Sequence, residues 1–377
     1  MGSLARLVTC AVAAALSVLP AASLGSAGPA ASARAHGDAH AEGGRAAYAG
    51  GPVPASVAAR TNVSAQAGGE VASFTIQDPR ITESSGLAAS RAHPGVYWTH
   101  NDSDDGPYVY AVDAKSGRTV ATVTLRGIGD PRDVEAISVG PDGTVYVADI
   151  GDNLGGTWPK VWIYAFPEPK RLADTTVTAK QYTVQYDGGP RDAEAMMVHP
   201  TTGRVYIVSK HKQDGGLYAG PQRLSTTGTN TFKRIGGVDQ WVTDGAFSPD
   251  GEQLVLRSYF DVALYTWRGG KPKKLGEPDL PIQQQGESVT YTLDGGTLMY
   301  GTEGEHSRVS AERLDDDLVS DGTRRQREKD ERASGGKGSG ADSKDADANT
   351  DNYYLGGLIL VVCTAIGIGG RRLLRSR

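Results

Sequence analysis

The heptapeptide Pro131-Arg132-Asp133-Val134-Glu135-Ala136-Ile137 returns as Pro190-Arg191-Asp192-Ala193-Glu194-Ala195-Met196, keeping a Pro-Arg-Asp-x-Glu-Ala core and then an apolar position. Both copies run on in the same way. A short apolar strand leads to a turn containing glycine (Gly140-Pro141-Asp142-Gly143; His199-Pro200-Thr201-Thr202-Gly203), then to a second strand (Val145-Tyr146-Val147; Val205-Tyr206-Ile207-Val208). A segment that recurs with its downstream course marks a repeat unit. Such a unit cannot bury its apolar face alone, so it must stack on copies of itself.

Aligning the turn after the first strand lays out five such cycles between residues 70 and 313. The first starts at Glu83-Ser84-Ser85-Gly86-Leu87 and predicts further strands over 95–99, 108–112 and 119–123. The second starts at Asp133, with later strands over 161–164 and 181–184, and the third starts at Asp192. The fourth starts near Thr243-Asp244-Gly245, turns at Ser248-Pro249-Asp250-Gly251 and continues over 254–256 and 262–265. The fifth starts at Gly286-Glu287-Ser288, turns at Leu293-Asp294-Gly295-Gly296 and continues over 298–300 and 308–310. Cycles of roughly 40–60 residues holding four short antiparallel strands are propeller blades. The last cycle supplies three strands. A spare strand over 71–76 fits as its fourth, which closes the ring and removes an open edge. The expectation is an all-β, five-bladed β-propeller over 70–313; six blades would need strands that the sequence does not offer. Fifty glycines, with tyrosine the commonest aromatic, suit a chain of strands and tight turns.

Through its Ser-Gly-Leu, Asp-x-Glu-Ala and Pro-Asp-Gly positions, the stretch 70–313 resembles the WD40-like and phytase-like superfamily of bacterial exported propellers. The Gly-His and Trp-Asp dipeptides of WD40 blades are missing, so the WD40-like label describes shape. The likeness is nearest to membrane-anchored members of that group, and it implies architecture more than activity.

The ends carry a different message. Residues 1–33 read as a secretory signal peptide, with Arg6, an apolar run from Leu7, and Ala31-Ser32-Ala33 as a cleavage site. Residues 34–69 are Ala, Gly and polar residues without period, a disordered linker. Residues 314–352 mix charges and nearly lack apolar side chains, which reads as a disordered charged stalk; part of 324–332 is compatible with a frayed helix. Residues 353–370 are uncharged and mostly apolar, at the lower limit of the roughly 17–25 residues that span hydrocarbon. The basic tail over 371–377 then predicts a single-pass type I anchor in the cell membrane, with the propeller extracellular and the tail cytoplasmic. Both cysteines lie in these apolar ends, so the exported domain would stand without disulfides. A net charge of −5 argues against a nucleic-acid surface.

Neighbouring antiparallel strands run in opposite directions, so the innermost strand of each blade begins on the face where the second strand ends. Inner-strand starts therefore bring Asp133, Glu135, Asp192, Glu194 and Glu287 to one mouth of the central channel, together with Glu83, Ser85 and Asp244. Second-strand ends bring His100, Asp102, Asp149, Lys210, Arg257 and Glu303 to the same mouth. The acids form a candidate cation site, since calcium takes about 6–8 oxygen ligands, with Asp133, Glu135, Asp192, Glu194 and Glu287 as the metal set. The other six are candidate ligand-binding residues. Against this stands a structural reading in which Arg132 and Arg191 pair with the acids. Catalytic motifs are missing: the sequence holds no Gly-x-Ser-x-Gly elbow, His-Glu-x-x-His helix, Walker loop or candidate Cys nucleophile. The expected function is non-catalytic binding of an extracellular protein or small ligand at the acidic mouth, with Ca2+ as the candidate cofactor. The alternative is a metal-dependent hydrolase of phytase-like or esterase-like type, with the metal-bound water as nucleophile.

Overall fold

The computed structural model describes residues 71–103 and 105–335, which lie within the unit Ala65–Arg377. The signal peptide, linker and membrane segment expected from the sequence fall outside the described residues. Among the described residues no helix is long and apolar enough to cross a membrane.

The chain is a succession of antiparallel meanders. After the short strand β1 (Phe74–Thr75) come β2 (Ser84–Ala89), β3 (Val96–Asn101), β4 (Tyr108–Asp113) and β5 (Thr119–Arg126). They are followed by β6 (Val134–Val139), β7 (Thr144–Asp149), β8 (Val161–Pro167), β9 (Thr175–Thr178) and β10 (Lys180–Tyr186). Next are β11 (Ala193–Val198), β12 (Val205–Ser209), β13 (Gly215–Ala219) and β14 (Thr229–Val238), then β15 (Val242–Phe247), β16 (Gln253–Ser258), β17 (Val262–Arg268) and β18 (Lys271–Gly276). The last strands are β19 (Gly286–Tyr291), β20 (Thr297–Thr302) and β21 (Arg308–Arg313), and a helix α1 (Asp321–Gly335) ends the described chain.

Sequence chemistry explains these strands. Runs such as Val145-Tyr146-Val147 and Val161-Trp162-Ile163-Tyr164 are β-branched or aromatic at nearly every position, as expected of strands covered on both faces. The turn after the inner strand holds a glycine at positive φ in all five meanders (Gly95 84°, Gly143 73°, Gly203 67°, Gly251 75°, Gly295 73°), a conformation that costs other residues strain.

The strands form four sheets. One is β2-β3-β4-β5 extended by β9, which pairs parallel to β5; another is β15-β16-β17-β18. The eight-stranded sheet is two antiparallel runs, β6-β7-β8-β10 and β11-β12-β13-β14, joined by a parallel β10–β14 pairing. In the last sheet β1 pairs with β21, Phe74 opposite Val309, so the spare N-terminal strand completes the C-terminal run as expected. Inner strands pack in a closed cycle, β2 on β6, β6 on β11, β11 on β15, β15 on β19, and β19 back on β2. The fold is all-β and propeller-like.

Its core is divided among the junctions of this cycle. One buried cluster joins β2–β5 to the β6–β8 run around Trp98, which meets Phe166 edge-on at 6.1 Å. Others hold Met196 and Phe232 with Ile163, or Met197 and Tyr206 with Trp267. The ring is shut by Phe74 and Val309 against Tyr97 and Tyr110. Each such aromatic buries about 150–250 Å², so the junctions carry most of the cohesion.

The structure also continues past residue 313, where the sequence suggests a stalk. Leu314 and Val319 are buried with Leu264 and Tyr300. The first turn of α1 docks on the turn between β15 and β16: Thr323 N donates to Asp250 Oδ2 at 3.0 Å, Gly322 N to Glu252 Oε2 at 3.0 Å, and Ser320 Oγ also bonds Asp250. Helix-start amides lack intrahelical partners, and these carboxylates supply them.

Candidate functional site

Each inner strand begins with the same irregularity. On β2, Ser84 faces Asn101 but Gly86 faces His100, leaving Ser85 unpaired. The same slip leaves over Glu135 on β6, Glu194 on β11, Thr243 on β15 and Glu287 on β19. A bulge of this kind turns its extra residue out of the ladder. A second set is the first residue after each second strand: Asp102, Ile150, Lys210, Tyr259 and Glu303. Three of these are clamped alike to the inner strand, with Asp102 N on Glu83 O at 2.9 Å, Lys210 N on Asp192 O at 2.9 Å and Glu303 N on Gln285 O at 3.0 Å. From the two sets, Ser85, Glu135, Glu194 and Glu287 meet Asp102, Lys210, Tyr259 and Glu303 around one cavity of about 160 Å³, with Asn153 at its edge.

Electrostatics inside this cavity are unbalanced. Asp102, Asp133 and Glu135 each bring an oxygen within 4.8 Å of the others. Ser85 Oγ donates to Glu135 Oε2 at 3.1 Å and Asn153 Nδ2 to Asp133 Oδ2 at 3.3 Å, yet among the described residues no cationic side chain is in ion-pair contact with the three, and Lys210 acts on Asp133 and Glu135 only through its charge. Burial pushes Glu135 well above the usual carboxylate range, and the charges of Glu194, Asp102 and Asp133 push it further. Asp102 is raised to about 8 by burial and by the neighbouring Asp133 carboxyl. Gly151 packs so close that a Cβ there would lie 2.6 Å from both Asp133 Oδ2 and Glu135 Oε1. A side chain at that position would have to push both carboxyls aside.

Across the cavity, Lys210 Nζ contacts Glu194 and donates to Tyr259 Oη at 3.1 Å. Burial works against the ammonium charge, but Glu194 outweighs it and raises the Lys210 pKa, so the two form an ion pair. Glu287 is lifted to about 7, first by burial and in part by Glu303.

Several residues expected at the mouth have other duties. His100 is buried, bonds Asn101 O through Nδ1 at 2.9 Å, and burial lowers it to about 4, so it is neutral. Asp149 is fully buried and accepts from Asp133 N at 3.1 Å and Tyr164 Oη at 2.7 Å. Arg257, also fully buried, donates to Ser288 O at 2.8 Å, Gly301 O at 3.0 Å and Gln283 Oε1 at 2.8 Å. Asp192 accepts from Asp152 N at 2.9 Å, joining adjacent meanders. The five expected metal ligands therefore divide: Asp133 and Glu135 meet Asp102, while Glu194 meets Lys210 and Glu287 meets Glu303. Asp244 lies one step past the bulge, turned away from the cavity, where it accepts from Gly245 N at 2.7 Å and Val289 N at 2.9 Å.

The arginines of the duplicated motif do not neutralise the acids. Arg132 is sandwiched by Trp158 at 3.7 Å and Trp162 at 4.1 Å, and Arg191 lies over Tyr218 at 5.5 Å. Sequence reasoning missed Tyr259 as a cavity wall. Its offset from the end of β16 equals that of Lys210 from the end of β12, a signal that needed the strand ends to be fixed first.

No protein-family model and no curated protein matches the chain. Among solved structures, a chain of the mitotic checkpoint complex is similar at 14% identity and a TM-score of 0.35, covering 61% of this chain and 63% of that one. A chain described as a 6-phosphogluconolactonase candidate from Bacteroides uniformis is similar at 12% identity and a TM-score of 0.36, covering 63% and 69%. The likeness is loose, and this chain spans less than two thirds of the first neighbour's length.

Proposed function

We propose that this is a membrane-anchored, extracellular five-bladed propeller that binds, without catalysis, a ligand or protein at its acidic mouth, and that Asp102, Asp133 and Glu135 hold a divalent cation there. The carrying observation is the convergence of three carboxyls within 4.8 Å, none of them in ion-pair contact with a cationic side chain among the described residues. Like charges this close must be neutralised by protons or by a cation. Carboxylate and hydroxyl oxygens favour a hard ion over zinc or copper, and the cavity leaves room for waters to complete the roughly 6–8 ligands of calcium. The closed cycle of inner strands and its five bulges support a count of five blades. The anchor rests on the apolar segment 353–370 and its basic tail.

The test is thermal unfolding of the full chain in calcium and in chelator. A cation that binds the folded state at 100 times its Kd adds about 2.7 kcal/mol, and this gain should vanish in Asp133→Asn and Glu135→Gln. A transition indifferent to millimolar calcium would sink the proposal. Calcium-dependent turnover of phosphomonoesters or carboxylesters would replace binding by hydrolysis.

A further inference from the structure

Two carboxyls of the mouth are not engaged by the proposed cation. Glu287 is 6% exposed, lines the cavity, and receives no hydrogen bond from an N–H or hydroxyl group among the described residues. Its close neighbour is another carboxyl, Glu303. Glu303 is fixed in place: Gln285 Nε2 donates to its Oε2 at 2.7 Å, and Gln285 itself holds a positive φ of 42°. Lys210 makes its ion pair with Glu194; its charge and that of Arg257 pull Glu287 down, but burial outweighs them.

Beside these acids the wall is aromatic. Tyr259 lines the cavity, with Trp241 against it at 5.1 Å and Phe260 at 6.1 Å. Phe260, in the loop after β16, is 85% exposed, and Ile282, in the loop before β19, is fully exposed. Both loops belong to the mouth face. A single exposed apolar residue needs no explanation, but here two lie in mouth-face loops, and the mouth holds a carboxyl pair of which Glu287 is buried.

We propose that this side of the mouth docks a protein partner that inserts a lysine or arginine side chain between Glu287 and Glu303 and rests the apolar neighbours of that residue on Phe260 and Ile282. Charge complementarity selects the occupant. A guanidinium or ammonium supplies the N–H donors that Glu287 lacks, and a charge-assisted pair in a largely desolvated pocket is strong. An anionic membrane surface would be repelled by the same acids. The proposal concerns other carboxyls than the cation reading and stands without it.

The experiment selects displayed random peptides on the immobilised full chain, in calcium and in chelator, then measures enriched peptides by fluorescence anisotropy. The expected result is enrichment of Lys or Arg flanked by apolar residues. Affinity should fall about tenfold or more in Glu287→Gln or Glu303→Gln, and severalfold in Phe260→Ser or Ile282→Ser, whose unfolding transitions stay in place. Asp133→Asn should abolish the calcium response and leave peptide affinity unchanged. The idea is overturned by an absence of enrichment, by peptides that bind the Glu287→Gln and Glu303→Gln proteins equally well, or by loss of peptide binding in Asp133→Asn. It is equally overturned if Phe260 and Ile282 instead drive sedimentation with neutral phosphatidylcholine vesicles.

Discussion

Replacing Glu287 by glutamine should flatten part of the dependence of stability on pH. In the folded chain this carboxyl is raised from 4.5 to about 7, chiefly by burial. A tenfold change in proton affinity is worth about 1.36 kcal/mol, so the rise corresponds to about 3 kcal/mol. The folded state keeps this proton where the unfolded chain has released it, so stability falls as pH rises. The contribution is complete below about pH 4.5, is lost as pH climbs through 7, and is flat beyond. Urea unfolding in chelator at intervals from pH 4.5 to 8 measures it directly. The wild-type chain should lose about 3 kcal/mol more over that range than Glu287→Gln, with unchanged m-values. Parallel curves would show that Glu287 is solvated or already neutralised, and the argument for an unpaired acid at this position would collapse.

Two further outcomes follow from the scaffold. Asp250→Ala removes the carboxylate that receives Thr323 N and Ser320 Oγ, which should cost about 1–2 kcal/mol and speed amide hydrogen exchange in α1 before any other element; unchanged exchange would show that the cap is unimportant. Arg257→Met strands the buried carbonyls of Ser288 and Gly301 and should cost about 3 kcal/mol or more, read as a shift of the denaturant midpoint. A loss below about 1 kcal/mol would mean that water replaces the guanidinium.

Much of this fold was legible because two periodicities coincide, the alternation within strands and the repeat of the inner strand with its turn. The ring closure by residues 71–76 was legible for the same reason, since β21 needs a partner. Less visible were β13 and β14, whose Gly215-Gly216 and Lys233-Arg234 dilute the apolar pattern, and β18, an outer strand of lysines. β9 escaped because four threonine-rich residues pair parallel on an edge, where no apolar face is required. α1 looked like stalk because it is held by backbone amides on Asp250 and Glu252 rather than by an apolar stripe. In the site, types and neighbourhoods of residues could be read, but not the hydrogen-bond register. Asp244 and Glu135 both sit at strand starts, and only the position of the bulge sends one inward and the other into the β15–β19 junction. Arg257 and Asp149 appear at the right end of the right strands, yet their interiors are spoken for by Ser288, Gly301 and Tyr164.

The bulges have an evolutionary consequence. Since the left-over residue of each inner strand makes no ladder bond, the strand pairing does not constrain its chemistry. Four of these residues line the mouth, in effect a four-letter word, here Ser-Glu-Glu-Glu at positions 85, 135, 194 and 287. Any letter can be rewritten while the sheets keep their hydrogen bonds, so drift at four dispersed codons can change what the channel accepts without asking the scaffold to change.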